Sequence, residues 1–142
     1  MTRWVIDASV AMQWFFAEPY FEAAARLLED RNTLAAPDLL FCEVGNALWK
    51  RMRRGELSAD EGGSMLHALT RAQIDIHPCS SGQLLGLALQ IAGETQTSVY
   101  DSVYVSLATM ISWPLVTADR KLFDRMAGTV HAPHLRWLED IS

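Results

Sequence analysis

The alternation of short apolar runs with longer helical patterns constrains the fold of this 142-residue chain more than any other feature. Trp4-Val5-Ile6 is a compact apolar run of the kind that a buried parallel strand carries. The pattern after it predicts a helix over 9–16. A second helix is entered through Pro19 and carries Ala23-Ala24-Ala25 and Leu27-Leu28. Thr33 to Ala36 reads as a short strand. Asp38 then caps a long helix whose apolar positions Leu40, Val44, Ala47, Leu48 and Met52 recur at helical spacing, with Gly55 as its stop. Ser58-Ala59-Asp60-Glu61 is a capping-box pattern opening the next helix. Ile74-Asp75-Ile76 alternates as a strand, 83–92 and 99–111 are helical, Leu115-Val116 is another buried strand, and 120–126 is helical. Thr129-Val130 is expected as a last short strand and 134–138 as a final helical turn. Strands that alternate with helices imply a parallel sheet covered on both faces. The expected fold is α/β: a three-layer α/β/α sandwich with a short-stranded parallel sheet, in one domain over 1–142.

Composition excludes several function classes. Lys and Arg number 12 against 17 Asp and Glu, a formal net charge of −5. Such a chain does not hold nucleic acid by overall basicity, which leaves only local patches for that task. Two cysteines, Cys42 and Cys79, are too few for a disulfide framework and read as reduced thiols. Cys42 reads as a small buried hydrophobe. The N-terminal residues reach Asp7 before a signal-peptide core forms, and the apolar stretch 102–116 is broken by Ser106, Thr109, Ser112 and Pro114. A cytoplasmic location without membrane association is expected.

Four acids stand out. Asp7 ends the first strand run and Asp119 follows Leu115-Val116-Thr117, so both fall where open parallel sheets place their ligands, beyond the carboxyl ends of strands. Glu43 sits in the apolar part of the long helix, and Asp101 in the first turn of the 99–111 helix. Each aspartate also has a plainer reading. Asp7 and Asp119 suit helix N-caps, and Asp101 suits the acid of a capping box, Ser98-Val99-Tyr100-Asp101. Glu43 has no helix start near it, and its plain reading is an exposed position on an imperfect amphipathic face. If all four converge, two like charges ~4 Å apart repel by ~4 kcal/mol at an effective dielectric near 20. A divalent cation relieves that repulsion, and oxygen-only ligation suits Mg²⁺ or Mn²⁺ rather than Zn²⁺.

Four segments in order carry a resemblance. These are Val5-Ile6-Asp7-Ala8-Ser9, then Glu43-Val44-Gly45-Asn46-Ala47-Leu48, then Tyr100 to Ala108, then Val116-Thr117-Ala118-Asp119-Arg120-Lys121-Leu122. Together they resemble a PIN domain, and more narrowly the VapC toxins of type II toxin–antitoxin pairs. The resemblance implies a Mg²⁺- or Mn²⁺-dependent endoribonuclease, a homodimer and a VapB-type antitoxin partner. It places the acidic quartet, as metal ligands and catalytic groups, on Asp7, Glu43, Asp101 and Asp119. Ser9 and Thr117 match the small hydroxyl positions beside the site. Asn46, one turn after Glu43, matches a polar position able to orient that carboxylate. The mechanism this implies is hydrolysis of an RNA phosphodiester by metal-activated water.

Other features carry competing readings. Lys50, Arg51, Arg53 and Arg54 complement the C-terminal end of the long helix, or meet RNA phosphates or an acidic partner. Arg120 and Lys121 adjoin Asp119 and are candidate RNA contacts. Trp14-Phe15-Phe16 exceeds what one helix face buries, which divides it between core packing and a partner surface. His131 and His134, lacking a third ligand nearby, read as surface residues. A phosphatase of the haloacid dehalogenase type needs a second aspartate where Ser9 stands. A phospho-receiver domain needs an aspartate after the central strand, whereas Asp75 lies within one. The remaining alternative, a non-catalytic PIN-like or receiver-type binding module, is expected to have lost acids that this chain retains.

Overall fold

Residues 1–141 are described by a computed structural model. Strand β1 (Thr2–Ile6) pairs in parallel with β2 (Asn32–Pro37) on one side and with β4 (Leu115–Thr117) on the other. The outer strands β3 (Ile74–His77) and β5 (Leu135–Trp137) complete an all-parallel sheet in the order β3-β2-β1-β4-β5. The chain builds outward from β1 in one direction and then crosses back to continue from its other edge. The crevice at such a reversal is where a doubly wound sheet binds ligands. Here it lies between the carboxyl ends of β1 and β4, where Ile6 pairs with Val116 and Asp7 emerges beside Thr117.

Among the described residues seven α-helices flank the sheet: α1 (Ala8–Gln13), α2 (Phe21–Arg26), α3 (Leu39–Arg53), α4 (Ala59–Thr70), α5 (Leu84–Thr95), α6 (Val99–Ile111) and α7 (Arg120–Met126). Val5, Ile6, Val10, Leu40, Val44, Val105, Leu115 and Val116 are wholly buried in one core. Helix α6 packs on β1, β2 and α5, and the Ser106 hydroxyl donates to the Leu84 carbonyl at 2.8 Å across that helix pair. Helix α3 ends as the sequence predicts. Gly55 takes φ +78°, its N–H bonds to the Met52 carbonyl and the Glu56 N–H to the Arg51 carbonyl, the paired bonds of a Schellman stop. At the start of α4, Ser58 and Glu61 form both bonds of the expected capping box. No helix among the described residues is long and apolar enough to cross a membrane.

The chain departs from the sequence reading in particular places. Thr129-Val130 is not a strand: Thr129 folds back to donate to the Met126 carbonyl, and Val130 is 79% exposed. The fifth strand comes instead at Leu135–Trp137, inside the segment expected to be a helical turn. Leu135 and Trp137 are buried there and Arg136 is exposed, a period of two that suits an edge strand. Asp38 precedes α3 but makes no side-chain cap; its carboxylate accepts the Cys79 N–H at 3.0 Å and so ties α3 to the segment after β3. Cys42 is exposed rather than buried. His131 is buried rather than on the surface, with Nε2 3.8 Å from a Glu94 carboxylate oxygen. Trp14, Phe15 and Phe16 are half-buried against the core, with Trp14 Nε1 donating to the Ala24 carbonyl and Arg51 stacked 3.8 Å over Phe16.

Candidate active site

The first carboxylate comes from the end of a strand. β1 stops at Ile6, and Asp7 caps α1 by accepting the Val10 N–H at 3.2 Å. Capping accounts for only one of its contacts. The Ser9 hydroxyl donates to Oδ1 and the Thr117 hydroxyl to Oδ2, each at 2.5 Å. Ser9 also accepts the Ala118 N–H, and Thr117 the Asp119 N–H. The two hydroxyls thereby lock the end of β1 to the turn after β4. Asp119 in turn caps α7 by accepting the Leu122 N–H at 3.2 Å.

The other two acids come from helices. Glu43, on α3, accepts the Tyr104 hydroxyl of α6 at 2.6 Å. Asp101 stands on the first turn of α6. Its backbone N–H donates to Ser98 Oγ at 3.1 Å, but the reciprocal bond from the Ser98 N–H to its carboxylate is not formed. The capping box expected there is only half made, and the Asp101 carboxylate faces a cavity.

That open cavity, of about 490 Å³, is lined by Asp7, Glu43, Asp101 and Asp119 together. Ser9, Asn46 and Lys50 also face it. Four acids spread over more than a hundred residues of sequence thus share one cleft at the sheet's crossover point. Their ionisation reflects it. Burial raises the Asp7 carboxyl from 3.8 to about 6; its hydrogen bonds from Ser9, Thr117 and Val10 oppose the shift, and the charge of Asp119 adds to it. Glu43 is raised by burial, against the Tyr104 bond, and then by the charges of Asp101 and Asp119. Asp101 is raised by burial and by Asp119, with Ser98 and Lys121 pulling the other way. Tyr104 is pushed far up by burial and by the Glu43 carboxylate beside it, so it stays a hydrogen-bond donor. A divalent cation offsets both causes, the burial of the carboxylates and their weaker mutual repulsion.

The donor set fits a hard divalent cation in its chemistry: carboxylate oxygens only, acidic and mutually destabilised. It is not drawn into ligating distance, since among the described residues no three His, Cys, Asp or Glu side chains are grouped closely enough to hold an ion as they stand. The fit therefore lies in donor type and location rather than in formed coordination.

The remaining sequence candidates divide. Asn46 faces the cavity, yet the group that holds Glu43 is Tyr104. Tyr104 was legible only as an aromatic three residues after Asp101, and its 1% exposure comes from α6 packing on the sheet. Lys121 lines a smaller cavity of about 180 Å³ on the other side of Asp101, together with Thr97 and Arg125. Arg120 turns away from both cavities. Its guanidinium stacks 3.8 Å over Trp137 and lies 3.7 Å from Asp124.

A family model for the PIN domain matches residues 4–129. The chain belongs to the PIN domain family. Ribonuclease VapC3 of Pyrobaculum aerophilum is 35% identical to this PIN domain protein over 126 residues, which cover 89% of this chain and 96% of the relative, so the chain sits among the VapC proteins. In fold it is similar to PAE2754 of the same organism, with a TM-score of 0.70, 22% identity and coverage of 97% of this chain and 90% of the other. It is also similar in fold to VapBC2 of Rickettsia felis, solved bound to a DNA fragment from its promoter, with a TM-score of 0.67, 16% identity and coverage of 96% and 98%.

Proposed function

We propose that this PIN domain chain is the toxin of a type II toxin–antitoxin pair and acts as a Mg²⁺- or Mn²⁺-dependent endoribonuclease. The observation that carries the reading is the convergence of Asp7, Glu43, Asp101 and Asp119 on one cavity, with burial and like charge raising the carboxyl groups of Asp7, Glu43 and Asp101. The ribonuclease name of its Pyrobaculum relative supports RNA as substrate.

Asp7, Asp101, Asp119 and Glu43 would hold the metal, which when bound supplies Lewis acidity toward the phosphodiester and lowers the pKa of a water. The chain's own residues position these groups. Ser9 and Thr117 fix both oxygens of Asp7, so that the carboxylate cannot rotate when a substrate arrives. Tyr104 fixes Glu43 across the gap between α3 and α6. Asn46 supplies a neutral polar group on the same wall, and Lys121 a cation beyond Asp101. Arg120 is the weaker of the two basic candidates, because its guanidinium is committed to Trp137.

The chain acts as a single domain over 1–142, in the cytoplasm, as a homodimer held in check by a VapB-type antitoxin. The VapBC title of the Rickettsia structure supports that kind of partner. The decisive experiment is cleavage of total RNA by the wild type and by Asp7→Asn. The wild type is expected to cleave with Mg²⁺ or Mn²⁺, to stop in EDTA and to resume on adding metal back, while Asp7→Asn stays folded and silent. Cleavage that survives chelation would replace this reading with a metal-free nuclease.

A further inference from the structure

Two exposed side chains on the walls of the acidic cavity make no side-chain hydrogen bond or ion pair among the described residues. The first is Tyr100, on the first turn of α6 beside Asp101. It lines the cavity and is 64% exposed. Other tyrosines and tryptophans at the surface or near the cavity are engaged by neighbours. Tyr104 bonds Glu43, Tyr20 packs edge-on against Trp137 at 5.8 Å, and the exposed Trp49 carries the Arg53 guanidinium at 4.7 Å. Tyr100 has no hydrogen bond or ring contact among the described residues. An exposed aromatic face at the lip of a polar cleft is a surface for stacking.

The second is Lys50, two turns after Glu43 along α3. In the basic run at the end of that helix, Arg51 pairs with Glu18 at 2.7 Å and stacks on Phe16, Arg53 stacks on Trp49, and Arg54 pairs with Glu56 at 2.9 Å. Lys50 alone of the four is turned into the cavity, and it enters no ion pair among the described residues. It is therefore a cation in a cavity that also holds four carboxylates, and an entering polyanion needs such a group to offset the repulsion.

Resting on the ribonuclease reading above, we propose that Tyr100 and Lys50 form a two-point grip on the RNA: the Tyr100 ring stacks on an unpaired base while the Lys50 ammonium pairs with a backbone phosphate. Both are positioning residues, since neither belongs to the acidic quartet. The grip has a stereochemical consequence. A base inside an A-form duplex keeps both faces stacked on neighbours, so a ring fixed at a cavity lip engages only a splayed or single-stranded nucleotide.

The test measures binding of the full chain to a labelled, mixed-sequence single-stranded oligoribonucleotide and to the same strand in a duplex. EDTA is present so that cleavage does not intrude, and cleavage with Mg²⁺ is run in parallel. Tyr100→Ala is expected to weaken single-strand binding about tenfold, with Tyr100→Phe and Tyr100→Trp restoring it because stacking needs the ring and not the hydroxyl. Lys50→Ala is expected to weaken binding and to lower the salt slope by about one, with Lys50→Arg keeping both. Both side chains are exposed, so the substitutions leave the core intact. The grip is overturned by unchanged affinity in Tyr100→Ala, by failure of Tyr100→Phe to restore it, or by an unchanged salt slope in Lys50→Ala. Loss of antitoxin binding alone would also overturn it, reassigning the pair to a protein contact. If the wild type cleaves no RNA with either metal, the ribonuclease reading itself falls. If it cleaves and both variants match it in binding and rate, only the grip does.

Discussion

Two helix starts in this protein share one local pattern and differ in everything else. At α4, Ser58 and Glu61 exchange both capping-box bonds at 2.9 and 3.0 Å, and those bonds hold the exposed Glu61 carboxyl below its usual range. At α6, Ser98 receives the Asp101 N–H, but the Asp101 carboxylate leaves the return bond unmade, and burial together with Asp119 holds it above its usual range. The difference is not written in the four residues. The start of α4 faces solvent, whereas the start of α6 stands at the mouth of a cleft that β1, α3 and the turn after β4 also supply. A shorter side chain adds to the divergence, because aspartate reaches back across the first turn less readily than glutamate.

The widest test of the contrast is activity. Asp101→Asn is expected to lower the rate of RNA cleavage by about a hundredfold or more, since even groups that only support a metal ligand are commonly worth ten- to a hundredfold. Glu61→Gln is expected to leave the rate unchanged. Equal rates in the two variants, measured side by side, would dissolve the distinction.

Asp7 extends it to a cap buried outright. Because burial raises its folded pKa from 3.8 to about 6, its ionisation opposes folding of the metal-free chain. The stability linked to its proton is fully present below about pH 4 and is lost as the pH rises through about 6. In EDTA, wild type is expected to lose up to about 3 kcal/mol relative to Asp7→Asn between those limits, a shift of roughly two pKa units. Urea unfolding of both proteins across that range checks it; parallel curves would mean that Asp7 titrates as an ordinary carboxyl.

Mg²⁺ sharpens the contrast further. At an excess of about a hundred times its Kd, a bound ion stabilises the folded chain by about 2.7 kcal/mol. The thermal midpoint is expected to rise equally for wild type and Glu61→Gln and much less for Asp101→Asn. An equal rise in all three would leave Asp101 as a helix cap.

The smallest effect concerns what the two starts share. Each serine accepts the N–H three residues on, so Ser58→Ala and Ser98→Ala are each expected to cost roughly 1 kcal/mol, read as a shift of the urea midpoint. Only Ser98→Ala is expected also to disturb the pH dependence of cleavage, since its hydroxyl lowers the Asp101 carboxyl.

Legibility in the sequence follows the same division between local and distant causes. The helix starts at Ser58 and Ser98, the stop at Gly55 and the central strands are set by residues within a few positions of one another, and pattern reading finds them. β5 was displaced because Thr129-Val130 has the right residue types, while the burial that makes a strand falls on Leu135 and Trp137. Cys42 reads as buried because a free cysteine behaves as a small hydrophobe, yet its own side of α3 faces the cavity. The four acids are singled out by their order along the chain, and the structure brings them to one cavity. That Tyr104, and not Asn46, holds Glu43 depends on how closely α3 approaches α6, a distance between partners 61 positions apart that no local pattern encodes.

The bond from Thr117 to Asp7 spans 110 residues of chain. A nascent polypeptide carries Asp7 almost from its first residues, but nothing yet exists to orient its carboxylate or to close the cleft around it. Contacts between such distant positions form late, after the intervening helices and strands have collapsed. A partly synthesised copy therefore has the first acid and no cleft, and one truncated before β4 stays harmless however well its earlier elements fold. The crossover that builds the cleft also times it, so that destructive capacity arrives only with β4 and the residues after it.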